Sequence, residues 1–255
     1  MNRFQTEFHR LYHPRPTDAT STDAGPDDLI DEQGRVRAMV LELARPADWE
    51  RLSTVWRGVQ ADLGLPAPAI AVSGTDGLQL WFSLSEPLDA VQAHAFLESL
   101  RHRYLPDVAH QRVGLMPAPG ASAASGGHAR KVPALHEATG NWSAFVAPDL
   151  APIFAETPWL DVPPGDEGQA NLLCKLASIK PSLFAAALHQ LEPAADQRMA
   201  SPLTAASDIG LGSTRHVVST GHPDPRSFLL AVMNDEAVPL ALRIEAAKAL
   251  LPHAV

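Results

Sequence analysis

The sequence predicts an α+β domain with the element order β-α-β-β-α-β. Three observations support this prediction. Residues 37–44 (RAMVLELA) form an apolar run of strand length that ends before Pro46. Residues 69–84 contain two further strand-like runs around the turn Gly74-Thr75-Asp76-Gly77, whose length fits a hairpin loop. Two stretches have apolar residues at helical spacing. One lies between the first strand and the hairpin, and the other follows the hairpin.

The remaining elements follow in chain order. The first helix is predicted over residues 48–63, where two acids in the first turn favour a helix N-terminus. Its apolar stripe consists of Leu52, Val55, Trp56, Val59 and Leu63. A second helix is predicted around residues 93–104, and residues 112–116 are predicted as a fourth strand. This order is that of a ferredoxin-like or RRM-like core, in which helices cover one face of an antiparallel sheet and the other face is open to a partner or a ligand.

Side-chain alternation along the strands predicts which residues share the open face. On the third strand, Leu78, Leu80, Phe82 and Leu84 form the natural core set. Gln79 and Trp81 then point to the opposite face. Glu42 on the first strand is predicted to lie on that same face, beside Gln79.

The chain divides into four predicted segments. Residues 1–165 form the α+β domain, and residues 166–191 form a helical segment with a break at residues 180–181. Residues 192–224 are rich in proline, serine and glycine and are predicted to be a linker. Residues 225–255 are predicted to form a C-terminal helical hairpin that packs on a protein partner or on a second copy of the chain.

Several stretches resemble archaeo-eukaryotic primases, a family that includes the polymerase domains of bacterial end-joining ligases and some mobile-element primases. The similar segments are 40–44 (VLELA), 73–82 (SGTDGLQLWF), 112–117 and 131–140. The family motifs are a D-x-D at the end of the first strand, a serine-glycine turn leading to a histidine, and a later lone acid. The resemblance implies a domain that binds a nucleotide or a single-stranded nucleic-acid end.

The same comparison implies a degenerate catalytic site. Glu42 stands at the first acidic position, but Ala44 at the second cannot bind a cation, and Gln79 replaces the histidine. The later acid is either Asp149 or Asp161, and spacing does not choose between them. Glu42 and Asp161 are the candidate metal ligands, with Glu42 and Gln79 as catalytic candidates. Magnesium or manganese is expected only if the site is active, because nucleotidyl transfer requires carboxylates that hold these metals.

A set of polar, basic and aromatic residues around the open face is predicted to contact the nucleotide. The set consists of Ser73, Gly74, Gln79, Trp81, Arg112, Arg130 and Lys131. Amides and cations supply donors for phosphate, and Trp81 is predicted to offer its ring to a base.

Composition narrows the functional classes. The net charge of -9 argues against non-specific nucleic-acid binding, so any such contact is expected to be local. The single cysteine, Cys174, excludes a disulfide framework, and no secretory or membrane-spanning segment is recognised, which predicts a cytoplasmic protein without a membrane partner. Three hypotheses remain: a degenerate primase-polymerase-like binding domain, a non-catalytic protein-interaction module, and an active primase with a non-standard metal site.

Overall fold

The computed structural model describes residues 2–14, 29–122 and 126–191. The helices in these ranges are α1 (Arg3–Tyr12), α2 (Trp49–Ala61), α3 (Ala90–Tyr104), α4 (Asp166–Leu173) and α5 (Pro181–Leu191). The strands are β1 (Arg35–Ala44), β2 (Ala69–Val72), β3 (Gly77–Asp89), β4 (Val113–Met116), β5 (Leu135–His136), β6 (Asn141–Trp142) and β7 (Ala144–Val146). The predicted linker (192–224) and C-terminal hairpin (225–255) lie outside the described residues.

The main sheet is antiparallel, with strand order β4-β1-β3-β2-β7. The first four positions are those of a ferredoxin-like core, so the predicted α+β class and element order are confirmed. The central strand β3 extends beyond the predicted end at Leu84 to Asp89, and there it pairs with the start of β1 across an irregularity between Val36 and Ala38. Residues 85–87 (SEP) resemble a turn in sequence, which is why the extension was not predicted.

One face of the sheet carries the larger core, as alternation along the strands predicts. Asp48 caps the N-terminus of helix α2, and its side chain accepts a hydrogen bond from the Arg51 backbone N–H. Its buried side chains Leu52, Val55 and Val59 pack with the apolar face of α3 onto the sheet. The sheet contributes Met39, Leu41, Leu43, Leu78, Leu80, Phe82 and Leu84.

The opposite face is largely covered, contrary to the prediction of an open face. Helix α1 packs across it, and Phe8, Leu11 and Tyr12 form a second core with Trp81 and Phe145. The ring centroids of Tyr12 and Trp81 are 5.3 Å apart in an edge-on arrangement. The sequence does contain a signal for this helix: Asn2 and Gln5 form a capping box ahead of the apolar residues.

A buried arginine holds the end of α1 against the sheet. Arg37 on β1 is 1% exposed. Its guanidinium donates to the carbonyl oxygens of Arg10 (2.9 Å) and His13 (3.0 Å) at the C-terminal end of α1, and to that of Leu84 on β3 (2.9 Å). Carbonyls in the last turn of a helix lack partners within the helix, so Arg37 both satisfies them and fixes the position of α1.

The predicted helical segment 166–191 contains α4 and α5, which pack on the sheet domain. Helix α4 lies against α1 and β7. The Gln169 amide accepts a hydrogen bond from the Phe145 N–H (2.8 Å) and donates one to the Phe145 carbonyl (2.9 Å). This side chain thereby occupies hydrogen-bonding groups of an edge strand that would otherwise be available to another strand. Among the described helices, none is both long and apolar enough to cross a membrane.

Candidate functional site

A cleft of about 230 Å³ opens on the second face of the sheet, beyond the part that α1 covers. Its walls come from the ends of β1 and β3, the β2–β3 turn, the segment that follows residue 126, and the β5–β6 hairpin. The lining residues are Glu42, Ser73, Thr75, Gln79, Met116, His128, Ala129, Arg130, Lys131, Val132, Ala134, His136 and Ser143. Apart from Met116, Ala129, Val132 and Ala134, all of them carry polar side chains.

Glu42 and Gln79 form the floor of the cleft. They are paired across β1 and β3, which confirms that they share a face. The Gln79 Nε2 donates to Glu42 Oε2 at 2.9 Å, and Gln79 Oε1 accepts from the Trp81 indole N–H at 2.8 Å. Because an indole nitrogen can only donate, this chain fixes the orientation of the Gln79 amide and directs its donor at Glu42.

The surroundings of Glu42 disfavour its charged form. Burial has the largest effect and raises the pKa of the Glu42 carboxyl. The hydrogen bond from Gln79 lowers the Glu42 pKa and so opposes the effect of burial. The charge of Asp76 raises the pKa further, and the charge of Arg45 lowers it. Gly77 leaves room for the carboxyl, since a Cβ at this position would lie 2.9 Å from Glu42 Cγ.

The β2–β3 turn is held by its own hydrogen bonds. The Ser73 hydroxyl accepts from the backbone N–H groups of Thr75 (3.1 Å) and Gly77 (3.0 Å). Gly74 has a φ of +82°, and a Cβ there would lie 2.8 Å from the Ser143 nitrogen. Gly74 is therefore required for the turn and its close approach to Ser143, and it is not among the residues that line the cleft.

His128 attaches the basic segment to the sheet. Its Nδ1 accepts from the Ala129 N–H (2.7 Å), so its Nε2 carries the proton that is donated to the Ala38 carbonyl (3.0 Å). Burial lowers the pKa of His128 to about 4, although the bond to Ala38 acts in the opposite direction. His128 is therefore neutral at neutral pH.

Two cations follow His128 along the cleft wall. Arg130 is exposed, and Lys131 is half-buried with its Nζ 5.9 Å from the centroid of the Phe8 ring. Helix α1 covers most of this face of the sheet, and through Phe8 it also contacts Lys131 in the cleft wall. The structure brings five of the predicted site residues to the cleft: Glu42, Ser73, Gln79, Arg130 and Lys131.

Two other predicted contacts are wrong for this arrangement. Trp81 is fully buried beneath α1, so its ring offers no surface for a base to stack on. Arg112 donates to the carbonyls of Ala44 (3.3 Å) and Pro46 (2.8 Å) and does not line the cleft. The Trp81 prediction assumed an open sheet face that helix α1 in fact covers, whereas Arg112 is directed to the end of β1 by its two carbonyl partners.

The proposed metal pair is not brought together. Asp161 and the alternative Asp149 are exposed, and neither lines the cleft. Within the described ranges, no group of three histidine, cysteine, aspartate or glutamate side chains could hold a metal ion. Asp76 is the acid that affects Glu42 electrostatically, because it belongs to the adjacent turn.

The cleft also contains residues that were not predicted. Thr75 comes from the hairpin turn, and His136 and Ser143 are brought in by the pairing of β5 with β6. Residues 139–140 (TG) between those short strands were the available sign of a turn, but two-residue strands give too little periodicity to be recognised.

The sequence matches no protein-family model, and no curated protein matches it. Interpretation of the site therefore depends on its geometry. A polar cleft with two cations, several hydroxyl and amide groups and one protonatable carboxyl is suited to a small anionic group with oxygen acceptors.

Proposed function

We propose that this chain is a catalytically degenerate, primase-polymerase-like domain that binds the phosphate-bearing end of a nucleotide or of a single nucleic-acid strand. The observation that carries the proposal is the convergence of Arg130 and Lys131 with Ser73 and Gln79 around one cleft. These groups come from separate parts of the chain. Their meeting in a protein of net charge -9 creates a local site for an anion.

The size of the cleft limits what it encloses. Pockets for drug-sized ligands are about 300–1,000 Å³. At about 230 Å³, the cleft accommodates a phosphate and the sugar next to it, with the base outside. Because Trp81 is buried, no stacking on its ring contributes to affinity, and we expect little preference among bases.

The same site is poorly suited to nucleotidyl transfer. Ala44 stands where a second strand carboxylate is needed, and Glu42 is hydrogen-bonded by a neutral amide. Metal-dependent transfer uses carboxylates to hold divalent ions against the phosphate groups. We therefore expect binding to be independent of magnesium and manganese.

The test is calorimetric titration of a nucleoside monophosphate and of a short 5′-phosphorylated oligonucleotide, each with and without manganese. Replacing both Arg130 and Lys131 with alanine should weaken binding at least about tenfold and reduce the salt dependence of affinity. The control replaces Arg51 and Lys175, two exposed cations outside the cleft, and removes the same formal charge.

The outcomes separate the hypotheses. Loss of affinity in the cleft variant but not in the control supports the proposal. Equal losses would place the contact elsewhere on the surface. If wild-type protein gives no heat with either ligand at millimolar concentration, the nucleotide hypothesis is wrong and the protein-interaction hypothesis remains.

A further inference from the structure

We propose that the cleft takes up a proton with its anionic ligand, and that Glu42 carries this proton and donates it in a hydrogen bond to an oxygen of the ligand. This inference rests on the proposed function and specifies the form of the site that binds. It assigns Glu42 a role that needs no metal ion.

The hydrogen-bond chain along β3 identifies the atom that is protonated. Trp81 fixes the Gln79 amide so that its Nε2 points at Glu42 Oε2, and that oxygen must accept. The other carboxyl oxygen, Oε1, lies over Gly77, within the space that a Cβ there would need. A proton from solvent bonded to Oε1 leaves the bond to Gln79 intact, and no other bond in the site has to break.

The charged and titratable groups around Glu42 come from four segments. They are Arg45 at the end of β1, Asp76 in the β2–β3 turn, His128, Arg130 and Lys131 on the basic segment, and His136 on the β5–β6 hairpin. His128 is kept neutral at neutral pH by its burial, which lowers its pKa to about 4. Arg45 and Asp76 act on Glu42 with opposite signs, so neither alone determines its charge.

An anion in this cleft lies beside both the cations and the carboxyl. If Glu42 is ionised, the ligand meets a second negative charge in a partly buried site, and the two repel. When Glu42 is protonated, the same contact becomes an O–H···O⁻ hydrogen bond, one of the stronger types in proteins. The ligand therefore favours the protonated site, and binding draws a proton from solvent. The proton returns when the ligand leaves.

The test uses inorganic sulfate, because its charge is constant over the working range and any proton taken up must come from the protein. Calorimetric titration in two buffers of different ionisation enthalpy counts protons at each pH from about 5 to about 8. Above the Glu42 pKa, wild-type protein should take up close to one proton per sulfate. Its affinity should fall about tenfold for each further pH unit.

Variants identify the group that takes up the proton. Glu42→Gln keeps the shape and a donor but cannot titrate, so it should bind sulfate without proton uptake and with an affinity that does not fall as pH rises. Asp76→Asn removes a charge that raises the Glu42 pKa, so the fall in affinity should move to lower pH. Glu86→Gln changes an exposed carboxyl outside the cleft and should behave as wild type.

Three results would overturn the inference. Sulfate binding without proton uptake by the wild-type protein would contradict it but leave the cleft as an anion site. Absence of sulfate binding at every pH, in wild type and in Glu42→Gln, would contradict the proposed function as well. A wild-type count of zero protons contradicts the inference even if a variant does not fold, and proton uptake that persists in Glu42→Gln would assign the proton to another group and contradict the inference as well.

Discussion

The attachment of the basic segment by His128 should make the stability of the fold depend on pH. In the folded protein both ring nitrogens have backbone partners, and the Nδ1 position can accept the Ala129 N–H only while it is unprotonated. Protonation would place an N–H against that donor. In the unfolded chain the same imidazole titrates near its ordinary pKa.

The size of the effect follows from the two pKa values. Folding lowers the pKa of His128 from 6.5 to about 4, so between these values the unfolded chain binds a proton that the folded protein does not. The stabilisation is therefore fully present above pH 6.5 and is lost as the pH falls towards about 4. Between about pH 7 and about pH 5, linkage gives a loss of about 2 kcal/mol in the free energy of unfolding. This is an upper value, because part of the ring keeps contact with solvent.

Urea denaturation at both pH values, on wild type and on His128→Gln, measures this contribution. The variant is expected to be less stable at about pH 7 but to lack the His128 part of the loss at about pH 5. Glu42 has a raised pKa, so its contribution to stability increases as the pH falls, opposite to that of His128. This contribution is present in both wild type and His128→Gln, so it cancels when their pH dependences are compared. An equal loss in wild type and His128→Gln would refute the reasoning.

Two further predictions concern the turn and the second core. Gly74→Ala should lower the free energy of unfolding by more than Gly140→Ala, since both residues have a positive φ but only at Gly74 would a Cβ meet backbone, the Ser143 nitrogen. Equal effects in urea denaturation would show that the close approach is unimportant. Trp81→Ala should cost about 3–5 kcal/mol of stability, because it removes a fully buried side chain. A stable Trp81→Ala protein with weaker nucleotide binding would instead support the stacking role that the sequence predicted.

The fold could be predicted from sequence because its main signals are local. The apolar run of β1, the glycine-bounded hairpin and the helical stripes each specify one element, and their order limits the topology. Alternation correctly placed Glu42 beside Gln79. Each of these predictions uses only residues that are close in sequence or the pairing of two strands.

The candidate site depended on long-range contacts that pattern analysis does not show. Helix α1 covers Trp81 from about seventy positions earlier in the chain, so a ring that alternation assigns to an open face becomes core. Likewise His128 reaches the Ala38 carbonyl across 90 residues, and this contact brings Arg130 and Lys131 beside Glu42. The local signs of these two arrangements were a capping box followed by apolar residues at helical spacing, and one short basic segment.

The central claim is that the cleft above Glu42 and Gln79 binds a phosphate group. Its most direct test is a crystal structure of the full chain soaked with a nucleoside monophosphate. We expect the phosphate in the cleft, with an oxygen within hydrogen-bonding distance of Lys131 or Arg130 and another facing Glu42, and with the base outside. A phosphate bound at any other place, or an empty cleft in crystals that hold the ligand elsewhere, would contradict the claim.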